Sequence, residues 1–167
     1  MRYSFRSPLT IDQSRSLLNW CIREGATLFT VNFLFVKGED SESLCNAFYD
    51  RMEPFAAGIR LLECVEGNGF ELQSSFHLNQ ESLEQILRET SGNLFRNSIL
   101  YLPEDWLFYI EDLILLQIVN HEDSATIRVN EQQYRTFDAL GIPHQAGCSE
   151  WSGLTEEPVK RKPVRIS

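Results

Sequence analysis

No lysine or arginine occurs between Arg96 and Arg128. Within that stretch three Glu-Asp pairs, Glu104-Asp105, Glu111-Asp112 and Glu122-Asp123, punctuate two apolar runs. Other absences narrow the chemistry. The chain has no G-x-G-x-x-G, P-loop, H-E-x-x-H or G-x-S-x-G pattern, so it offers no recognisable phosphate cradle, zinc-binding helix or activated serine. Its four cysteines, Cys21, Cys45, Cys64 and Cys148, are scattered without C-x-x-C or Cys/His spacing, which disfavours zinc. No run reaches the roughly 20 apolar residues of a spanning helix, and residues 1–6 lack the apolar core of a signal peptide. A reduced, cytoplasmic protein is expected.

A chain of 167 residues fits one domain around a single core, and its eleven phenylalanines fall in periodic segments that can build that core. Charge is divided unevenly. Residues 1–159 carry 11 basic and 24 acidic side chains, a net of −13, whereas Lys160, Arg161, Lys162 and Arg165 give the last eight residues +4. A body this acidic repels phosphate backbones and anionic membranes; it favours a basic partner, although acidity also serves solubility alone.

Hydrophobic periodicity divides the chain into helices and strands. Thr10 with Gln13 forms a capping-box pattern ahead of a stripe of Ile11, Leu17, Leu18, Cys21 and Ile22 that stops at Gly25. Residues 26–36 then alternate, with Phe29, Val31, Phe33 and Phe35 on one face and Thr30 and Asn32 on the other. Asp40 or Ser41 caps a second helix to about Met52, with Leu44, Cys45, Phe48 and Met52 inward and Pro54 interrupting. A hairpin follows, its strands alternating to either side of Gly67-Asn68-Gly69. Asn79 caps a third helix through Glu89, with Leu83, Ile86 and Leu87 as its stripe. Residues 98–102 form a short strand. Asn130 with Gln133 opens a fourth helix carrying Tyr134, Phe137 and Leu140, closed by Gly141-Ile142-Pro143.

Between the third and fourth helices, residues 106–110, 113–119 and 125–129 read as successive antiparallel strands. A meander reverses at each turn, so the first and third acidic pairs lie at one end of the sheet and the second pair at the other. Glu104, Asp105, His121, Glu122 and Asp123 are thereby brought to one corner. Paired carboxylates of this kind can hold Mg²⁺ or act as acid and base. Neighbouring strand residues point to opposite faces, however, so each pair offers at most one carboxylate to a shared site. A solvated strand end is the commoner role, and no metal or cofactor is expected. His77 and His144 have no partner nearby in sequence and read as ordinary histidines.

Trp106, Phe108 and Tyr109 beside the carboxylates form a different combination. Aromatic anchors provide desolvated contact area while the charges speed encounter with a basic surface. Alternation turns Trp106 and Phe108 toward the core and leaves Tyr109 as the surface aromatic. The segment Leu102-Pro103-Glu104-Asp105-Trp106-Leu107-Phe108-Tyr109, with His121-Glu122-Asp123 and the helix from Tyr134 to Leu140, resembles the small acidic immunity proteins of bacterial polymorphic toxin systems. That resemblance covers about a quarter of the chain, and lies in size, acidity and architecture. It implies a cytoplasmic protein that binds and neutralises a basic toxin domain.

The expected fold is therefore α+β: a single domain over residues 1–142, with a mainly antiparallel sheet of about six strands and about four helices on it. Residues 143–167 read as an irregular tail with a basic end, where Trp151 and Leu154 can still dock. The expected function is non-enzymatic protein binding through Glu104, Asp105, Tyr109, His121, Glu122 and Asp123. A small enzyme with a carboxylate-bound divalent cation and an adaptor subunit are the alternatives.

Overall fold

The computed structural model describes residues 1–6, 8–36, 40–65, 69–95 and 105–147. Within them the order is β1 (Arg2–Arg6), α1 (Ile11–Arg23), β2 (Leu28–Val36), α2 (Asp40–Met52), β3 (Ala56–Val65), β4 (Gly69–His77), α3 (Gln80–Glu89), β5 (Asp105–Ile110), β6 (Leu113–Val119), β7 (Ser124–Arg128), α4 (Glu131–Asp138) and β8 (Gln145–Ala146). The strands form one sheet in the order β3-β4-β2-β5-β6-β7-β1-β8, and every neighbouring pair is antiparallel. The α+β class is as expected from the sequence, with eight strands where about six were expected; β1 and β8 account for the difference.

Three helices start as their capping residues dictate. Thr10 accepts from the Gln13 amide while Gln13 returns a bond to the Thr10 amide, at 3.1 and 3.0 Å. Asn79 and Ser82 do the same for α3, and Asn130 and Gln133 for α4. Each box satisfies amides that the first helical turn leaves open. At the far end of α4, Gly141 adopts the left-handed conformation expected of it, with φ +66°. Gly92, after α3, is needed for close approach: a Cβ there would lie 2.7 Å from the Ile11 side chain.

Alternation along the strands decides the two faces. Phe29, Val31 and Phe33 of β2, Phe76 of β4, Trp106 and Phe108 of β5, Leu116 and Ile118 of β6, Ala125 and Ile127 of β7, and Phe5 of β1 share the core with the helices. Two aromatic groups anchor it. Phe29 stacks at 5.3 Å on Phe76 and 5.7 Å on Phe108, with Phe48 of α2 set edge-on against Phe76 and Trp106. Phe137 of α4 meets Trp20 of α1 and Phe5 of β1, and the Trp20 indole N–H donates to Thr136 at 2.9 Å. Offset and edge-on ring contacts of this kind add to the gain from area burial. The helices are also tied to one another, because Arg15 pairs with Glu84 between α1 and α3, and Arg51 forks onto Glu89 between α2 and α3 at 2.8 Å.

The opposite face carries Thr30, Asn32, Gln73, Ser75, Gln117, Thr126 and Ser4, as the register of the strands requires. Gln73 donates to Asn32 across β4 and β2 at 2.9 Å. No described helix packs on it, although Thr30, Leu107 and Gln117 at its centre are buried.

Several local expectations change. Ile11 and Leu44, assigned to inward stripes, are exposed, whereas Trp20, left out of the first stripe, is fully buried. Ile11 is the first residue of its helix and covers Gly92 from outside, so the inward arc begins one turn later. The irregular tail does not begin at Pro143: β8 pairs with Tyr3 and Ser4, and His144 sits edge-on to Tyr3, Tyr134 and Phe137 with Nδ1 2.8 Å from the Ile142 carbonyl. The expected strand at 98–102, Cys148, Trp151 and Leu154 lie outside the described residues. Cys21 and Cys45 are buried, as their stripes predict, and burial pushes the Cys21 thiol up.

Candidate functional site

The meander is present as expected. β5, β6 and β7 are consecutive neighbours, with Asp105 opposite Val119 and Val119 opposite Ser124. Because Asn120 to Glu122 form a 3₁₀ turn directly after Val119, the start of β5 and the β6–β7 turn occupy one end of the sheet. Asp105 is half-buried there, while His121, Glu122 and Asp123 are exposed. Glu104 lies outside the described residues. The Glu111-Asp112 pair stands at the other end, in the β5–β6 turn.

The turn holds its carboxylates apart from the core and close to each other. Asp123 is left-handed at φ 50° and ψ 35°, and its amide donates to the Asn120 carbonyl at 3.1 Å. Aspartate tolerates this conformation better than most side chains. Glu122 accepts from the Ser124 hydroxyl at 3.3 Å, and its other oxygen lies 3.9 Å from His121 Nε2, an ion pair whenever the imidazole is protonated. Solvent screens these exposed contacts, so they leave the carboxylates available to a partner.

Tyr109 is not brought to this corner. It lies four residues along β5 from Asp105, roughly 13 Å at strand rise, beside Leu28 and Ile114 at the Glu111 end. Its hydroxyl is 3.3 Å from Thr30 Oγ1. Trp106 and Phe108 are buried in the core, as alternation predicts. The corner therefore presents carboxylates and a histidine without the expected surface aromatic.

The chain has no significant match among protein-family models, curated proteins or solved structures. The corner must be judged by its own chemistry. Among the described residues no three His, Cys, Asp or Glu side chains gather as a group able to hold a metal ion. No described helix is long and apolar enough to cross a membrane.

One cation reaches the corner by a route that sequence proximity hides. Arg6 of β1 lies opposite Ser124, next to Asp123, although 117 positions of chain separate Arg6 from Asp123. Its strand was signalled by the alternation Arg2-Tyr3-Ser4-Phe5-Arg6, with the aromatics on one face and polar residues on the other. That signal is short, and its pairing partner is distant.

Proposed function

We propose that the chain is a non-enzymatic binding protein acting in the cytoplasm, an immunity protein that neutralises a basic toxin domain by docking its acidic corner. The observation that carries this reading is that Asp105, His121, Glu122 and Asp123 lie at one end of the sheet, three of the four exposed. Exposed carboxylates of this kind raise the rate of encounter with a cationic surface and disfavour anionic competitors. The net of −13 over residues 1–159 extends the attraction beyond the corner itself. In the bacterial systems that the sequence resembles, such a protein covers the toxin's active site.

The test uses the toxin-like domain of a secreted protein encoded beside this chain, with association measured at low and physiological salt. Glu122→Lys with Asp123→Lys is expected to slow association by on the order of tenfold, and Glu111→Lys with Asp112→Lys far less, at identical net charge. Equal losses would assign the interaction to diffuse charge. No loss from either double variant would remove the corner from the mechanism.

A further inference from the structure

Arg2 of β1 and Arg128 of β7 are direct register partners. Their neighbours Tyr3 and Ile127 are core residues, so both arginines project from the face away from the helices. Like charges directly opposite on one face of an antiparallel pair repel. Arg15, Arg51 and Arg135 each have a carboxylate partner. Among the described residues the guanidinium groups of Arg2 and Arg128 have neither an ion pair nor a hydrogen bond. Glu131, three positions after Arg128, is held by Arg135. Of the corner carboxylates, Asp123 directly precedes β7 and Glu122 accepts from Ser124, both at the Arg6 end of the strand pair. Among the described residues, these two adjacent cations of an acidic chain thus have no counter-ion.

The residues around the pair can complete an oxyanion contact. Ser4 and Thr126, the next opposed pair on the same face, are half-buried, and Gln145 of β8 lies opposite Ser4. Two guanidinium groups supply forked donors and the hydroxyls add further donors, which suits a carboxylate or phosphate oxygen pair. A sheet face near its edge offers contact area to a macromolecule, whereas small ligands are held mainly in enclosed clefts. Between macromolecules, charge decides. A nucleic-acid strand would bring repeated phosphates against a body of net −13, while a protein can present one or two carboxylates locally.

We propose that Arg2 and Arg128 form a receiving site for a carboxylate side chain of a partner protein, with Ser4 and Thr126 as flanking donors. The site is separate from the acidic corner and stands without it. The two lie at opposite ends of one strand pair, the arginines at Arg128 and the carboxylates beside Ser124, so a partner covering both must be bipolar.

The test titrates the full chain, followed by amide and arginine side-chain resonances, with three probes at low salt: a hexapeptide of alternating Thr and Glu, inorganic phosphate, and an oligothymidylate of equal charge. Saturable shifts are expected with the peptide at Ser4, Thr126 and the Arg2 and Arg128 side chains. Arg2→Gln and Arg128→Gln should each weaken that binding about tenfold, the loss of one charge-assisted contact. Arg88→Gln should leave it unchanged. Neither variant should lower the melting temperature, because each removes a repulsion, and the two are read separately so that misfolding of one leaves the other decisive. Shifts elsewhere, or binding unchanged in both variants, would overturn the site. Phosphate binding as tightly as the peptide would overturn the partner-carboxylate assignment, and so would tighter binding of the oligothymidylate.

Discussion

At the β5–β6 turn, Glu111 and Asp112 are followed by Leu113, which is 73% exposed, and the half-buried Tyr109 and Ile110 stand just before it. At the β6–β7 turn, Glu122 and Asp123 follow Val119 and Asn120, both buried, and face Asp105 on one side and Arg6 on the other. The same dipeptide therefore has two settings. The β5–β6 turn projects beyond the last β6–β7 pair, Leu116 with Ile127, whereas at the β6–β7 turn β5 and β1 still pair with the closing residues Val119 and Ser124, through Asp105 and Arg6. Topology, and not the local sequence, decides which acidic pair can belong to a composite site.

The sharpest way to break this comparison is to truncate one apolar residue from each end of β6. Ile118, fully buried beside the second turn, should cost about 2–5 kcal/mol as Ile118→Ala, while Leu113→Ala should change stability by less than about 0.5 kcal/mol. Chemical denaturation of the two variants measures both. Similar losses would mean that the first turn is packed as tightly as the second.

Backbone conformation gives a smaller contrast. Both turns use a left-handed residue, Glu111 at φ 53° and Asp123 at φ 50°. Glutamate has no short polar side chain to ease that conformation, so Glu111→Gly should stabilise by about 1 kcal/mol and Asp123→Gly by less than half of that. The reverse order in denaturation midpoints would show that Asp123 carries the greater strain.

The smallest effect concerns Arg6. If it partly offsets the corner charge, Arg6→Gln should lower the melting temperature slightly at low salt and not at all at high salt. A difference that persists in high salt would assign Arg6 a packing role.

Much of this arrangement was legible because its signals are local. The capping boxes at Thr10, Asn79 and Asn130, the alternation of β2 and the acidic punctuation of the meander each lie within a few residues, and the corresponding elements formed where they were read. From three sequential strands, reversal alone places Asp105 with Glu122 and Asp123. What failed to show was non-local. β1 is five residues long and β8 only two, and neither has its strand partner nearby in sequence. Tyr109 is close in sequence to Asp105, but an extended strand converts four positions into a large separation. Arg6 and the Arg2–Arg128 pair depend on the same long-range pairing and were hidden for the same reason.

That pairing also dictates an order of events in the making of the protein. Tyr3 and Phe5 enter the core only when β1 is seated against β7, whose residues are synthesised more than a hundred positions later. β2, β3 and β4 have their mutual partners within a far shorter stretch of chain and can assemble as soon as residue 77 is available. The β1 segment must wait, with its aromatic side chains uncovered, until the meander is complete. Long loop closures of this kind slow folding and prolong the exposure of a sticky edge. The step that seals the sheet on the ribosome is thus the return of its earliest strand to one of its latest.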